Sequence, residues 1–254
     1  MSAHLTESRK DEHLRISLEE DVSFDRLTNG LERIQMVHRA LPEIDLEDVD
    51  TSITFLGYDL ALPVLVASMT GGSQKAARIN RILAEAAQAF GIGMGLGSMR
   101  VALEKPSLAW TFRIRKHAPT IPIFANLGAV QLNYGFDLSA CRQLIEISEA
   151  NGLYLHLNPL QEALQPEGNT RFSGLLQKIE TLCRQLSVPV IVKEVGWGIS
   201  SATARALQDA GVAAIDVAGA GGTSWSQVEM YRSRNRIQRE VAASFRDWGI
   251  PTAT

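Results

Sequence analysis

The chain has 254 residues, 45% of them hydrophobic and 21% charged, and its formal net charge is −3. That composition is typical of a soluble globular protein with a large core, and so balanced a charge argues against nucleic-acid binding through a general positive field. The N-terminal residues are polar and no run of about 18 apolar residues occurs, so we expect no secretory signal, no membrane partner and a reducing, cytoplasmic compartment.

Six short apolar segments recur at similar intervals, and each is almost continuously apolar. Such segments are typical of strands that are covered on both faces of a sheet. Amphipathic segments with helical periodicity lie between them, and this alternation predicts a parallel sheet with right-handed crossovers. The predicted strands are 62–69, 91–98, 121–128, 152–159, 188–196 and 212–219, and the predicted helical segments are 77–90, 138–151, 173–186, 200–211 and 225–248.

Small or polar residues end nearly every predicted strand, and their even distribution decides between two α/β folds. A doubly wound sheet concentrates its functional loops at one switch point, whereas a TIM barrel brings all strand ends to one mouth. We therefore predict an α/β fold of the TIM (β/α)8-barrel type over residues 61–254, with an N-terminal extension over residues 1–60 that covers the mouth. Only about six βα units are found where a barrel has eight, so we expect a barrel that lacks its C-terminal part and has open, aggregation-prone sheet edges.

The first two strand ends carry candidate ligand-binding groups. Ser68, Met69 and Thr70 precede a pair of glycines, which would let the backbone approach a flat or anionic ligand closely. Ser98 and Arg100 follow the second strand, and an arginine side chain is well suited to phosphate oxygens. The alternatives are an ordinary βα turn for the first segment and a surface arginine for the second.

Asn126, Lys193 and Thr223 mark later strand ends. The Asn126 amide can hydrogen-bond the edge of a heterocycle. Lys193 lies in an otherwise apolar strand, where an unpaired ammonium is costly, so it needs either a ligand at the mouth or an ion pair with Glu194. Thr223 ends the glycine-rich sequence AGAGGT, which predicts a phosphate- or cofactor-binding turn.

His156, Asn158, Gln161 and Glu162 crowd the end of the fourth predicted strand. Gln161 and Glu162 are adjacent, so both can point toward the mouth only from a loop beyond that strand. A single carboxylate can bind Mg²⁺ together with water and substrate phosphate, which makes Glu162 a candidate ligand. The alternative is a carboxylate that stabilises a helix N-terminus.

Arg9, Lys10 and His13 form a basic cluster ahead of the predicted barrel. Most clusters of this kind belong to a solvated surface. An N-terminal arm that folds over the mouth would instead place them where they bind a diphosphate.

The sequences RKDEH, SMTGG, GSMR, FANLG, HLNPLQE, VPVIVKEVGWGIS and DVAGAGGTSW follow one another along the chain. In that order they resemble the type 2, FMN-dependent isopentenyl-diphosphate isomerases. The resemblance implies an FMN-containing TIM barrel that interconverts isopentenyl and dimethylallyl diphosphate, with flavin reduced by NADPH, a Mg²⁺ ion, and assembly into homo-tetramers or homo-octamers. In the mechanism usually favoured for that family, reduced flavin protonates the substrate double bond and removes a proton from the neighbouring carbon.

The resemblance also implies roles for individual residues of this chain. FMN would be contacted by Ala67, Ser68, Met69, Thr70, Ser98, Asn126, Lys193 and Thr223. The substrate diphosphate would be bound by Arg9, Lys10, His13, Ser98 and Arg100. Gln161 would contact the substrate, Glu162 would bind Mg²⁺, and the catalytic pocket would comprise His156, Asn158 and Gln161. The chain departs from the family at Ala218, where a polar residue or glycine is common.

Two other functions remain open. An FMN-dependent 2-hydroxy-acid oxidase shares the barrel and the lysine on strand five, but it needs a histidine base and arginines near strands six and seven. Here the sixth strand leads into GGTSW without such a histidine. The other hypothesis is an inactive fragment of the isomerase, because family members continue through two further strands that supply much of the FMN phosphate site.

Overall fold

A computed structural model describes residues 3–254 of the chain, and it describes the side chains of residues 9–254. An antiparallel hairpin of two short strands precedes a parallel sheet of six strands, in which each strand pairs with the next one in the sequence. The hairpin strands are β1 (Ile53–Phe55) and β2 (Tyr58–Leu60), and the sheet strands are β3 (Leu65–Val66), β4 (Gly93–Gly95), β5 (Ile123–Gly128), β6 (Gly152–His156), β7 (Val190–Lys193) and β8 (Ala214–Asp216). The helices are α1 (Ala3–Glu19), α2 (Gln74–Phe90), α3 (Arg100–Glu104), α4 (Leu138–Ser148), α5 (Pro159–Leu164), α6 (Leu175–Gln185), α7 (Ser201–Asp209), α8 (Trp225–Arg232) and α9 (Arg236–Ser244).

The prediction of a partial TIM-type barrel is confirmed, because all six predicted strands form and pair in parallel in sequence order. Within residues 3–254, no further strand pairs with the outer edge of β3 or of β8. Among the described helices none is both long and apolar enough to cross a membrane.

Two local predictions are wrong. The helical segment predicted over 225–248 is two helices, because the chain turns after Arg232 and the side chain of Asn235 accepts a hydrogen bond from the backbone N–H of Gln238 (3.2 Å), which starts α9. Gln161 and Glu162 lie on the short helix α5 rather than in a loop. On a helix, neighbouring residues are separated by about 100°, so both side chains can still reach the cavity that α5 borders.

Helix α2 shows how the sequence positions the loops at the mouth. Its buried residues, Ala76, Ala84 and Ala87 among them, face the sheet at helical spacing, and their small side chains allow close packing. The Ser73 side chain accepts a hydrogen bond from the Ala76 N–H (3.3 Å) and so begins the helix immediately after the β3 loop. The loop over residues 67–72 is therefore held between a buried strand and a capped helix.

The side chain of Glu229, on α8, joins α1 and α5 to α8. The Oε1 atom accepts hydrogen bonds from His13 Nε2 on α1 (3.1 Å) and from the side chains of Gln161 (3.2 Å) and Gln165 (2.6 Å), while Oε2 accepts one from Arg232 (3.0 Å). The side chain is buried, and burial alone would raise its pKa. The hydrogen bond and charge of His13, with those of Gln165 and Arg232, outweigh burial and lower the pKa to about 2. A buried carboxylate with this many donors stabilises the fold.

Ala218 has a backbone conformation that favours glycine. It follows β8 with φ 38°, in the left-handed region that costs an L-residue roughly 1–2 kcal/mol. We expect Ala218→Gly to raise the free energy of unfolding by roughly 0.5–1 kcal/mol in urea denaturation, because glycine relieves that strain at some cost in chain entropy. Ala204→Gly, in the interior of α7, is the matched control and should lower stability by about 1 kcal/mol. Equal losses in both variants would contradict the prediction.

The charge of Glu229 makes stability depend on pH. The folded-state pKa of about 2 lies below the ordinary value of 4.5, so the carboxylate stabilises the fold above pH 4.5 and this contribution disappears as pH falls from 4.5 toward 2. Wild type should exceed Glu229→Gln in unfolding free energy by about 3 kcal/mol at pH 6, and by about 1 kcal/mol less at pH 3.5. Glu240→Gln, which removes an exposed carboxylate from α9, should differ from wild type by less than about 0.5 kcal/mol at both pH values. A difference for Glu229→Gln that does not change with pH would refute this.

Candidate functional site

The carboxyl ends of β3 to β7 surround a cavity of about 320 Å³, and α1 and the start of α8 complete its wall. Parallel strands bring their ends to one edge of the sheet, so groups far apart in the sequence meet here. The predicted site residues that line the cavity are Arg9, Lys10, His13, Ser68, Met69, Thr70, Ser98, Arg100, Asn126, His156, Asn158, Gln161, Glu162 and Lys193.

Ala67 and Thr223 do not line this cavity. Ala67 is exposed, because successive residues of an extended segment face opposite sides and its neighbour Ser68 points inward. Thr223 is also exposed, and its backbone bridges to that of Ser23. A β-carbon at Gly221 would overlap the backbone of residues 28–29, so this glycine-rich turn admits the chain's own N-terminal segment.

Arg9 and Lys10 bring positive charge into the cavity from α1. The Lys10 ammonium donates to the carbonyls of Gly71 (2.7 Å) and Ser98 (2.9 Å), and burial, followed by the nearby charge of Arg9, lowers its pKa to about 7. Arg9 donates to the side chain of Gln165 (3.1 Å), and within the described residues no carboxylate lies within 4 Å of its guanidinium. Arg9 therefore carries a charge that an anionic ligand can neutralise.

Arg100 is already paired with protein groups. Its guanidinium donates to the Glu104 carboxylate (2.6 Å) and to the Asn169 side chain (3.0 Å). An arginine has five N–H donors, so others remain for a ligand. Arg100 thus borders the cavity as a partly neutralised cation.

A chain of hydrogen bonds joins His156, Asn126 and Ser68. His156 Nδ1 lies 2.7 Å from the Asn126 side-chain oxygen, while the Asn126 amide nitrogen donates to the Ser68 hydroxyl and, at 3.3 Å, to its carbonyl. An oxygen opposite Nδ1 requires a proton on that nitrogen, which leaves Nε2 as an acceptor. Burial, followed by the charges of Lys193, Arg9 and Lys10, lowers the pKa of His156 to about 3, so the ring is neutral at pH 7.

Lys193 ends β7 with its ammonium in the cavity wall. Its Nζ donates to the carbonyl of Glu194 (2.6 Å), not to the carboxylate. That carboxylate accepts from the backbone N–H groups of Val195 (2.7 Å), Gly196 (2.8 Å) and Trp197. The predicted alternative of an ion pair with Glu194 is therefore not formed. Burial lowers the pKa of Lys193, so its charge benefits from any electron-rich group placed in the cavity.

Asn158, Gln161 and Glu162 form the acidic and amide side of the cavity. The Asn158 amide nitrogen donates to Gln161 Oε1 (3.0 Å) and to Glu162 Oε1 (3.1 Å), and Glu162 Oε2 accepts from the Asn169 N–H. The side-chain oxygens of Asn158 and Gln131 are buried without a hydrogen-bond partner among the described residues. Buried acceptors of this kind are normally satisfied, so these two oxygens are suited to a ligand's donors.

No group of three or more His, Cys, Asp or Glu side chains in the described part of the chain could hold a metal ion. Glu162 is the only carboxylate among the described residues that line the cavity. A divalent cation bound here would therefore need oxygen ligands from a bound phosphate and from water, which is the usual arrangement for Mg²⁺.

Four residues in or beside the cavity were not predicted from the sequence: Gln131, Gln165, Trp225 and Glu229. Gln131, Gln165 and Trp225 line the cavity, and Trp225 meets the His13 ring edge-on with the ring centres 5.1 Å apart. Glu229 does not line the cavity, but it accepts hydrogen bonds from the side chains of His13, Gln161 and Gln165. A glutamate inside a mixed polar helix resembles an exposed one, and only the tertiary partners reveal its role.

Comparison with known proteins identifies relatives over nearly the whole chain. The chain is 57% identical to the isopentenyl-diphosphate delta-isomerase of Nostoc sp. (strain PCC 7120), over 98% of this chain and 71% of the relative. The Synechocystis sp. protein of the same name is 55% identical over the same shares, and that of Rickettsia prowazekii is 53% identical over 96% of this chain and 71% of the relative. The model of the FMN-dependent dehydrogenase family matches residues 4–107.

Solved structures support the fold alone. A mandelate oxidase superimposes with a TM-score of 0.54 at 18% identity, over 96% of this chain and 75% of the oxidase. A lactate oxidase of Pediococcus acidilactici gives 0.53 at 14% identity, over 93% and 72%. The sequence relatives are far closer, and together with the FMN-dependent family match they establish that this chain belongs to the FMN-dependent, type 2 isopentenyl-diphosphate delta-isomerase family.

Proposed function

We propose that this chain binds FMN and interconverts isopentenyl and dimethylallyl diphosphate, with Mg²⁺ on the diphosphate and NADPH as the source of reducing equivalents. The observation that carries the proposal is the position of Arg9 and Lys10 in one cavity with Asn126, His156 and Lys193. Two cations suit a diphosphate, and a buried amide and lysine at strand ends suit a flat heterocycle. The family membership supports the same pairing of ligands.

The diphosphate would lie between α1 and the loops that follow β3, β4 and β6. Arg9 has no carboxylate partner among the described residues, and Lys10 has used two of its three N–H donors on the Gly71 and Ser98 carbonyls. Glu162 faces the same space and would ligate Mg²⁺ together with phosphate oxygens and water. The cations and the metal ion would thus neutralise the substrate's charge at one side of the cavity.

The FMN ring would lie against the ends of β5, β6 and β7. The unsatisfied oxygen of Gln131 and the amide of Asn126 fit the polar edge of a flavin, and the buried Lys193 ammonium fits its electron-rich part. When bound and reduced, FMN supplies the acid–base chemistry of an isomerisation that has no net redox change.

The protein's own part is to position the substrate and to keep water out. A neutral His156, fixed by Asn126, adds no positive charge next to a substrate carbon that becomes electron-deficient. Asn158 and Gln161 hold each other in place beside it, while α1 and Trp225 close the cavity toward solvent.

A 2-hydroxy-acid oxidase is the second candidate, because solved oxidases share the fold. Within the described residues, no histidine follows β8 near the cavity, and the arginines and lysines that line the cavity come from α1, α3 and β7. We further propose that the protein works in the cytoplasm, and that it assembles into a homo-tetramer or homo-octamer as the resemblance implies.

Arg9→Gln tests the diphosphate site. Loss of one charge-assisted contact to phosphate should lower kcat/KM for isopentenyl diphosphate roughly 10- to 100-fold, mainly through KM. Arg15→Gln is the matched control, because Arg15 lies on the same helix but pairs with Glu19 on its exposed side. The assay is anaerobic isomerisation with FMN, NADPH and Mg²⁺. Equal kinetics for the two variants would place the diphosphate elsewhere.

Lys193→Met tests the flavin site. Wild type incubated with FMN and freed of excess should retain a visible flavin absorbance band, and the variant should bind FMN at least roughly tenfold more weakly, because it lacks the charge at the end of β7. Thr223→Val is the control and should bind like wild type, since Thr223 lies outside the cavity.

A band for wild type together with turnover and no oxygen consumption supports the isomerase over the oxidase. Oxygen consumption with a 2-hydroxy acid would favour the oxidase. A folded wild-type chain without a flavin band would favour the inactive fragment and refute the proposed function.

A further inference from the structure

A second cavity, of about 400 Å³, lies on the outer face of α2 and shares no lining residue with the first. One wall is the helix face that carries Gln74, Ala77, Arg78 and Arg81, at helical spacing. The other wall comes from the 3₁₀ segments Pro106–Phe112 and Arg115–His117 with the residues between them. We refer to this cavity as the α2 cleft.

The α2 cleft concentrates positive charge in a chain whose net charge is −3. Its wall holds four basic side chains, Arg78, Arg81, Arg113 and Lys116. Among the described residues, the acidic side chain that pairs with this wall is Glu85, which lies 3.0 Å from His117 Nδ1 and 4.0 Å from Arg81 Nε. In the described structure the side chains of Arg78, Arg113 and Lys116 form neither an ion pair nor a hydrogen bond. The cleft therefore has cations available for a ligand with several negative charges.

Trp110 adds a flat apolar surface to the same cleft. The residue is 52% exposed, although tryptophan is highly buried on average. Ala77 and Ile114 lie in the wall around it. An exposed indole beside arginines offers a stacking surface for an aromatic base, as in proteins that bind nucleotides.

We propose that the α2 cleft binds a nucleoside di- or triphosphate, with its base stacked on Trp110 and its phosphates contacted by Arg78, Arg113 and Lys116. The volume suits a small ligand, since ligand cavities commonly measure about 300–1,000 Å³. The site lies outside the catalytic cavity, so its occupation does not depend on the proposed isomerase function.

Calorimetric titration with ADP tests the proposal. Wild type should bind one ADP per chain, and Arg78→Gln/Arg113→Gln should weaken binding at least roughly tenfold. Arg205→Gln/Arg239→Gln changes the net charge equally at exposed positions outside the cleft and should bind like wild type. Trp110→Leu should weaken ADP binding roughly tenfold, while the dissociation constant of inorganic diphosphate for the cleft should be unchanged, because diphosphate has no base to stack.

Arg9→Gln distinguishes the two cavities, because it alters only the catalytic one. ADP binding that survives Arg9→Gln and is lost in Arg78→Gln/Arg113→Gln supports the proposal. The reverse result would place the nucleotide in the catalytic cavity and overturn it, as would a wild-type chain that does not bind ADP. If the double variant instead dissociates an oligomer in sedimentation analysis and ADP binds to neither form, the cleft is an interface between copies and the proposal is wrong.

Discussion

The buried carboxylate of Glu229 is the interaction on which the catalytic cavity depends. Its donors come from α1, from α5 and the residue after it, and from α8, so one side chain holds together elements that are distant in the sequence. Without the carboxylate, His13, Gln161 and Gln165 would each lose a buried partner. The contacts between α1 and α8 would lose the His13 hydrogen bond and keep the ion pair between Glu12 and Arg232 (3.1 Å). The positions of Arg9 and Lys10 follow from these contacts, because both are carried by α1.

Most charged and polar side chains of the cavity already have hydrogen-bond partners within the protein before a ligand enters. Lys10 and Lys193 donate to backbone carbonyls, and Glu162 accepts from Asn158 and Asn169. The exceptions are Arg9, which has no carboxylate partner among the described residues, and the bare oxygens of Asn158 and Gln131. A site of this kind is preorganised, since its residues need little rearrangement to accept a ligand.

The strands and most of the site were predictable from the sequence for a single reason. Continuous apolar segments that alternate with amphipathic helical segments are typical of a parallel sheet covered on both faces, and such a sheet brings the polar residues at its strand ends together. Thr223 does not line the described cavity, and its glycine-rich turn packs closely against residues 28–29, which the sequence pattern did not indicate. Glu229 could not be predicted, because its partners His13, Gln161 and Gln165 are brought to it only by tertiary packing.

Helix α1 is both the roof of the cavity and the source of its unpaired guanidinium. Any population of chains in which α1 is detached therefore lacks the closed cavity and the cation together. The apparent dissociation constant for the diphosphate then equals the intrinsic value divided by the fraction of chains with α1 attached. Substitutions on α8 that stabilise its contacts with α1 would therefore strengthen substrate binding without contacting the substrate. Bound substrate would in turn protect the backbone amides of α1 from hydrogen exchange.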